Sequence, residues 1–282
     1  MLDYDDEARH YDATRGGEPR ARAAADAVER LLPQGPCVVL DIACGTGIVT
    51  ERLLRPERTV VGVDRSPGML GLAARRLPGG VVRGDATALP FASRTVDAVV
   101  IVWLLHLLPD PDPVLAEAAR VLRPGGVLIT TVDKNDAYFV EDSDIAQVTA
   151  DLRRAYTPRV PDRSARVLDR AAELGLRMAG RTVFPGTGQG RSPRGWREAI
   201  DAGHISWCTH APQDRVAEVR RRLAALPGQD TARPDPQYRL IALKSQRGSG
   251  RWRGPRSGHE TLAHACDQPV AGRPVAEEAA RS

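Results

Sequence analysis

Between residues 37 and 133, short runs of β-branched and aliphatic residues alternate with stretches whose apolar positions recur every three to four residues. "CVVLDI" (37–42), "TVVGVD" (59–64), "GVVRGD" (80–85), "VDAVVIVW" (96–103) and "GVLITTVD" (126–133) read as strands. "IVTERLLR" (48–55), "PGMLGLAARRL" (67–77) and "PVLAEAARVL" (113–122) read as the helices between them. The strands are apolar throughout rather than alternating, which requires burial on both faces. That implies a parallel sheet with right-handed helical crossovers. The pattern predicts a doubly wound α/β domain.

The flanks are less regular. Residues 20–32, "RARAAADAVERLL", form an amphipathic helix that stops at Pro33. Beyond residue 134, helices are expected over 144–156, 164–174, 192–203 and 212–226, with strands over 177–184 and 237–245. Helical insertions so late in an α/β fold stand where a substrate lid would sit. The expected organisation is a cap segment over 1–34, a main domain over 35–245 with lid elements within about 135–235, and a disordered tail over 246–282.

Composition excludes several classes. No apolar run approaches the ~18 residues a membrane helix needs, and the start "MLDYDDEARH" is acidic rather than signal-like. A soluble, cytoplasmic protein is expected. Cys37, Cys44, Cys208 and Cys266 form no CxxC pair, so neither a disulfide framework nor a zinc site is suggested. The net charge is +4, but only Lys134 and Lys244 are lysine and the arginines spread along the chain. A nucleic-acid surface would cluster its charge; the one dense patch is "RGSGRWRGPR" (247–256), in the tail.

The chemistry starts at "VVLDIACGTGIVT" (38–50), a strand that runs into a glycine turn. In an open α/β sheet, ligands bind beyond the carboxyl ends of the strands. Gly45 and Gly47 allow close backbone approach, but the third position of a dinucleotide GxGxxG is Thr50, and Asp41 precedes the turn. A carboxylate there disfavours a pyrophosphate and suits a cationic nucleoside. Asp64 ends the second strand, where an acid can accept from both ribose hydroxyls, and Asp85 follows the third, in reach of a base edge. Any one of these is commonly a turn residue. Three at successive strand ends describe a ligand with an amine, a ribose and a base.

"VLDIACGTG", "VVGVDRSPGML", "VRGDATALPF", "VDAVVIVWLLHLL" and "VLRPGGVLI" occur in that order across about 35–132. Together they resemble the motifs of class I S-adenosylmethionine-dependent methyltransferases of the small-molecule type. The resemblance implies a Rossmann-like seven-stranded sheet with an antiparallel last strand, and S-adenosyl-L-methionine as cofactor. It places Asp41, Ala43, Gly45 and Gly47 at the methionyl part, Asp64 at the ribose, Ser66 and Met69 beside the adenine, Asp85 and Ala86 at its amino group, and Val102 along the cofactor. In relatives a segment like "RHYDATRGGEPR" folds over the cofactor, so Tyr11 would close the site and Arg15 would meet the cofactor carboxylate; otherwise the segment is a polar leader.

Methyl transfer needs positioning first, and a base only where the acceptor must lose a proton. His106 in "WLLHLL" is the candidate base, set against a structural histidine; Trp103 is a candidate wall. In "GHISWCTH" (203–210), His204 and Trp207 are candidate substrate contacts, with His210 beside them, set against a packing cluster. No Asn/Asp-Pro-Pro-aromatic motif of nucleic-acid amine methyltransferases follows the fourth strand, and no carboxylate cluster suits a hard divalent cation. A small-molecule acceptor is expected, with neither membrane nor nucleic acid, in a monomer or homodimer. The rival readings are an RNA or protein methyltransferase using the basic tail, and a non-catalytic S-adenosylmethionine binder.

Overall fold

A computed structural model describes residues 4–139, 142–158 and 160–246. Two N-terminal helices, α1 (Tyr4–Thr14) and α2 (Gly17–Glu29), precede β1 (Cys37–Ile42), β2 (Arg58–Asp64), α3 (Pro67–Arg76), β3 (Val81–Arg83), β4 (Val96–Ile101), α4 (Asp112–Val121) and β5 (Leu122–Val132). Then come α5 (Asp144–Tyr156), α6 (Ser164–Glu173), β6 (Leu176–Pro185), α7 (Pro193–Asp201), α8 (Ser206–Thr209), α9 (Gln213–Ala224) and β7 (Gln237–Ser245). The seven strands form one sheet in the order β3-β2-β1-β4-β5-β7-β6. β1 to β5 pair in parallel, and β7 runs antiparallel to both β5 and β6. The doubly wound sheet with its antiparallel last strand is the one expected from the sequence.

Strand alternation builds two cores. In β4, Val99 and Ile101 pack on one face with Leu115 and Val167, whereas Ala98 and Val100 pack on the other with Ala21, Ala24, Ala25 and Val28 of α2. The spacing of those α2 positions is a helical stripe, so α2 covers one face of the sheet while α4 and α6 cover the other. A third cluster lies off the sheet, where α5, α7, α8 and α9 close on Trp196, Trp207 and Leu223.

Several boundaries differ from the sequence reading. Residues 48–55 contain only a 3-10 turn, Thr50–Leu53, because β-branched Val49 and Thr50 and the following Pro56 leave no room for a full helix. The fourth strand stops at Ile101, before Trp103 turns into left-handed backbone at φ 60°. The polar leader contains helix α1, which buries only Ala8. Its anchors are acidic: Asp5 receives bonds from the Ser66 hydroxyl and the Gly68 N–H, and Asp12 from the Thr46 hydroxyl and Arg76. The expected disordered tail and its basic patch lie outside the described residues. No helix among the described residues is long and apolar enough to cross a membrane.

Candidate active site

A cavity of about 460 Å³ opens at the carboxyl ends of the parallel strands. Its size falls in the usual range for small-molecule sites. Nine of the residues proposed for a cofactor line it: Tyr11, Ala43, Gly45, Asp64, Ser66, Met69, Asp85, Ala86 and Val102; Trp103 lines it as well.

Asp64, at the end of β2, organises the turn. Its Oδ2 accepts the Gly45 N–H and its Oδ1 the Ser66 N–H, both at 2.9 Å. Ser66 caps α3, its hydroxyl accepting the Met69 N–H at 3.1 Å, and Pro67 follows at the first helical position. At the end of β3, Asp85 Oδ1 accepts the N–H and the hydroxyl of Thr87, each at 2.7 Å. Those bonds hold its carboxyl below the usual range, so it is an anion at neutral pH.

Three non-glycine residues with positive φ follow the strand ends at this rim: Ala43 (59°) after β1, Trp103 (60°) after β4 and Asp133 (51°) after β5. Such backbone costs on the order of 1–3 kcal/mol per residue and gathers where a ligand must be approached. The Trp103 N–H donates to Thr131 Oγ1 at 2.8 Å, fixing the exit of β4 to β5.

Other candidates stand elsewhere. Alternation along β1 sends Asp41 to the face of Val39, away from the strand end, where it is 4% exposed beneath the turn and accepts the Thr50 hydroxyl at 2.6 Å. Burial raises its carboxyl to about 7, the Thr50 bond opposing and the Asp64 charge adding. Gly47 (φ 75°) packs on α3: a Cβ there would stand 3.3 Å from Ala73 Cα. Arg15 is exposed, with its guanidinium 5.8 Å from the Tyr11 ring centroid and 3.8 Å from Glu7.

His106 sits in a 3-10 turn, Leu105–Leu107, that presents Leu104, Leu107 and Leu108 to the cavity instead of the imidazole. Burial, then the charges of Lys134, Arg20 and Arg15, lowers its pKa to about 3. It is therefore a neutral and very weak base, unsuited to the proton-accepting role expected of it. His204 is exposed beyond α7, and His210 bonds the Ser206 carbonyl at the end of α8. Trp207 is buried in the off-sheet core with Ile145 and Leu152, so "GHISWCTH" is a packing segment.

Sequence reading missed Tyr4, Arg65 and Thr87 on the cavity wall, and the leucines after β4. The half-exposed Leu107, in an apolar run too short for a strand and a helix, was the available signal.

Residues 40–130, which span β1 to β5 and carry most of this wall, match the family described as "Methyltransferase domain". Residues 40–130 therefore carry a methyltransferase domain. Among curated relatives, a demethylmenaquinone methyltransferase of Renibacterium salmoninarum is 41% identical over 133 residues, covering 45% of this chain and 55% of that protein. A trans-aconitate 2-methyltransferase of Methylobacterium nodulans is 37% identical over 137 residues, covering 48% of this chain and 52% of that protein. The chain thus spans about half the length of the curated relatives it matches. Solved structures show the same fold at low identity. A chain from the complex between the Haloferax volcanii Trm112 methyltransferase activator and a methyltransferase superposes with a TM-score of 0.53 at 18% identity, covering 87% of this chain and 98% of that one. A SAM-dependent methyltransferase of Thermotoga maritima gives 0.51 at 18% identity, covering 86% and 98%.

Proposed function

We propose that the protein transfers the methyl group of S-adenosylmethionine to a nucleophilic atom of a small organic molecule. The observation that carries this is the cavity wall itself: carboxylates at the ends of β2 and β3, a glycine turn after β1 and a mainly apolar remainder that includes Val63, Met69, Leu104 and Leu107, all in one space. The groups fit the cofactor. Asp64, with both oxygens already oriented by backbone N–H groups, keeps lone pairs for two ribose hydroxyls. Met69, Val63 and Ala86 offer apolar surface to a base whose amino group Asp85 can accept. Around Gly45, φ 58°, no protein atom stands within 4 Å of an added Cβ, so the turn leaves open space for the amino-acid end. Tyr4 and Tyr11 of α1 border the same space and would exclude water from it.

When bound, S-adenosylmethionine supplies a methyl group already activated on a sulfonium. The chain's contribution is then alignment, which can supply several kcal/mol of the barrier reduction. The rigid exit of β4, pinned by the Trp103 N–H, sets one side of the acceptor space. The low basicity of His106 means that no proton is taken up there, which suits an acceptor with a free lone pair or one already ionised. The relatives named for demethylmenaquinone and trans-aconitate support a small-molecule acceptor.

Titration calorimetry with S-adenosylhomocysteine tests the reading. Saturable 1:1 binding is expected, competed by S-adenosylmethionine. An absence of binding by folded wild-type protein would sink it.

A further inference from the structure

We infer that Asp5 and Asp12 are positioning residues for the cofactor: they latch α1 as a lid across the cavity, and release of the latches sets how fast S-adenosylmethionine enters and its product leaves. This rests on the reading of the cavity as the S-adenosylmethionine site and goes beyond closure by Tyr11 to the groups that fasten the lid.

The lid is lightly held. α1 buries only Ala8, and the two residues it turns to the cavity, Tyr4 and Tyr11, are partly buried, with ring centroids 6.2 Å apart. An 11-residue helix with so little apolar contact is marginal on its own. The next helix, α2, is fixed to the sheet by its alanine stripe. Between the two stand Gly16 at φ 89° and Gly17 at φ 50°, backbone that glycine takes without strain. A loosely packed helix joined to a fixed one through two glycines has the form of a hinged lid.

Two carboxylates do the fastening. Asp5 Oδ1 accepts the Ser66 hydroxyl and, at 2.9 Å, the Gly68 N–H; these bonds hold its carboxyl below the usual range, so it is ionised at neutral pH. Asp12 accepts the Thr46 hydroxyl at 2.6 Å and Arg76 Nη2 at 2.8 Å, and Arg76 Nη1 donates to the Thr46 carbonyl at 2.8 Å. Ser66 lies on the cavity wall just after Asp64, and Thr46 is buried between Gly45 and Gly47. The latches therefore grip the two loops that would hold the ribose and the amino-acid end. Charge-assisted bonds of this kind are strong, yet they part without opening an apolar core. A cofactor that orders both loops presents both latch sites together, which couples occupancy to closure.

Gly68 supplies an independent observation. It stands in the first turn of α3, and a Cβ there would lie 2.9 Å from both the Cα and the carbonyl oxygen of Asp5 and 3.1 Å from its Oδ1. Helix α3 itself would be better served by alanine, a stronger helix former. The glycine is required by the close approach of α1. In the same helix, an added Cβ at Gly71 meets nothing within 4 Å.

Stopped-flow tryptophan fluorescence on the full chain, with Trp103 on the cavity wall as a reporter, measures association and release of S-adenosylhomocysteine. Gly68→Ala, Asp5→Ala and Asp12→Ala are each expected to release it at least tenfold faster, with association no slower than in the wild type. Gly71→Ala, the same change in the same helix, should release at the wild-type rate. Trypsin cleavage after the exposed Arg9 reads the lid alone. Bound S-adenosylhomocysteine should slow that cleavage at least tenfold in the wild type, and Gly68→Ala should lose the protection at an unchanged melting temperature. Wild-type release by Gly68→Ala, equally fast release by Gly71→Ala, slowed association in the latch variants, or cleavage at Arg9 indifferent to the ligand would each overturn the latches while the methyltransferase reading stands. If S-adenosylhomocysteine does not bind the folded wild type, both fall.

Discussion

Replacing Asp41 by asparagine should make the protein more stable above neutral pH, although the residue lies in the most family-specific stretch of the chain. The carboxyl is buried under the glycine turn with the Thr50 hydroxyl as its side-chain partner, and its pKa rises from 3.8 to about 7. The folded state therefore holds this proton more tightly than the unfolded chain. Between those two values the unfolded state has released the proton and the folded state has not, so stability falls as pH rises and levels off above about 7. The slope is about 1.4 kcal/mol per pH unit, which from pH 5 to pH 8 amounts to about 3 kcal/mol. An asparagine side chain at this position is neutral in both states and carries no such slope. Urea denaturation of cofactor-free wild type and Asp41→Asn at pH 5, 6, 7 and 8 reads the difference directly, and subtracting the curves cancels every other titrating group. The variant should gain about 3 kcal/mol on the wild type across that range. Parallel stability profiles, or a wild type that gains on the variant as pH rises, would show that Asp41 is not a desolvated acid beneath the turn.

Other perturbations follow from the same geometry. Asp64→Asn should turn an amide N–H toward a backbone donor and remove a charged acceptor, weakening S-adenosylhomocysteine by about 1.5–3 kcal/mol, or roughly ten- to a hundredfold, by calorimetry. His106 has a depressed pKa, so its contribution to stability is full above 6.5 and is lost as pH falls toward about 3. His106→Gln should therefore lose less stability than the wild type between pH 7 and pH 5 in thermal melts. Gly47→Ala forces a Cβ against Ala73 at φ 75° and should cost about 1–3 kcal/mol in denaturant midpoints.

The sheet was legible because β1, β2, β4 and β5 are unbroken apolar runs, and continuous burial has no other common explanation at that length. Helix α1 was not, since its sequence is polar and its anchors, Asp5 and Asp12, bond to residues far along the chain. Asp64, Ser66 and Asp85 were readable because a strand end fixes where the next side chain goes. Asp41 was misread for the complementary reason: one position inside a strand, the pleat decides the face, and the motif says nothing of it. His106 looked reactive by type, and only its burial shows that it is not.

The order of strands also constrains how the chain is made. β6 pairs with β7 and with no other strand among the described residues, and β7 fills the gap between β6 and β5. During synthesis, residues 176–185 emerge well before 237–245, so β6 waits without a partner and β5 presents an unpaired edge. Contacts that close so late and over such separation slow folding and lengthen exposure to aggregation. Nascent chains arrested at residue 236 should thus be cleaved readily by protease, with protection arriving abruptly once the last strand clears the ribosome.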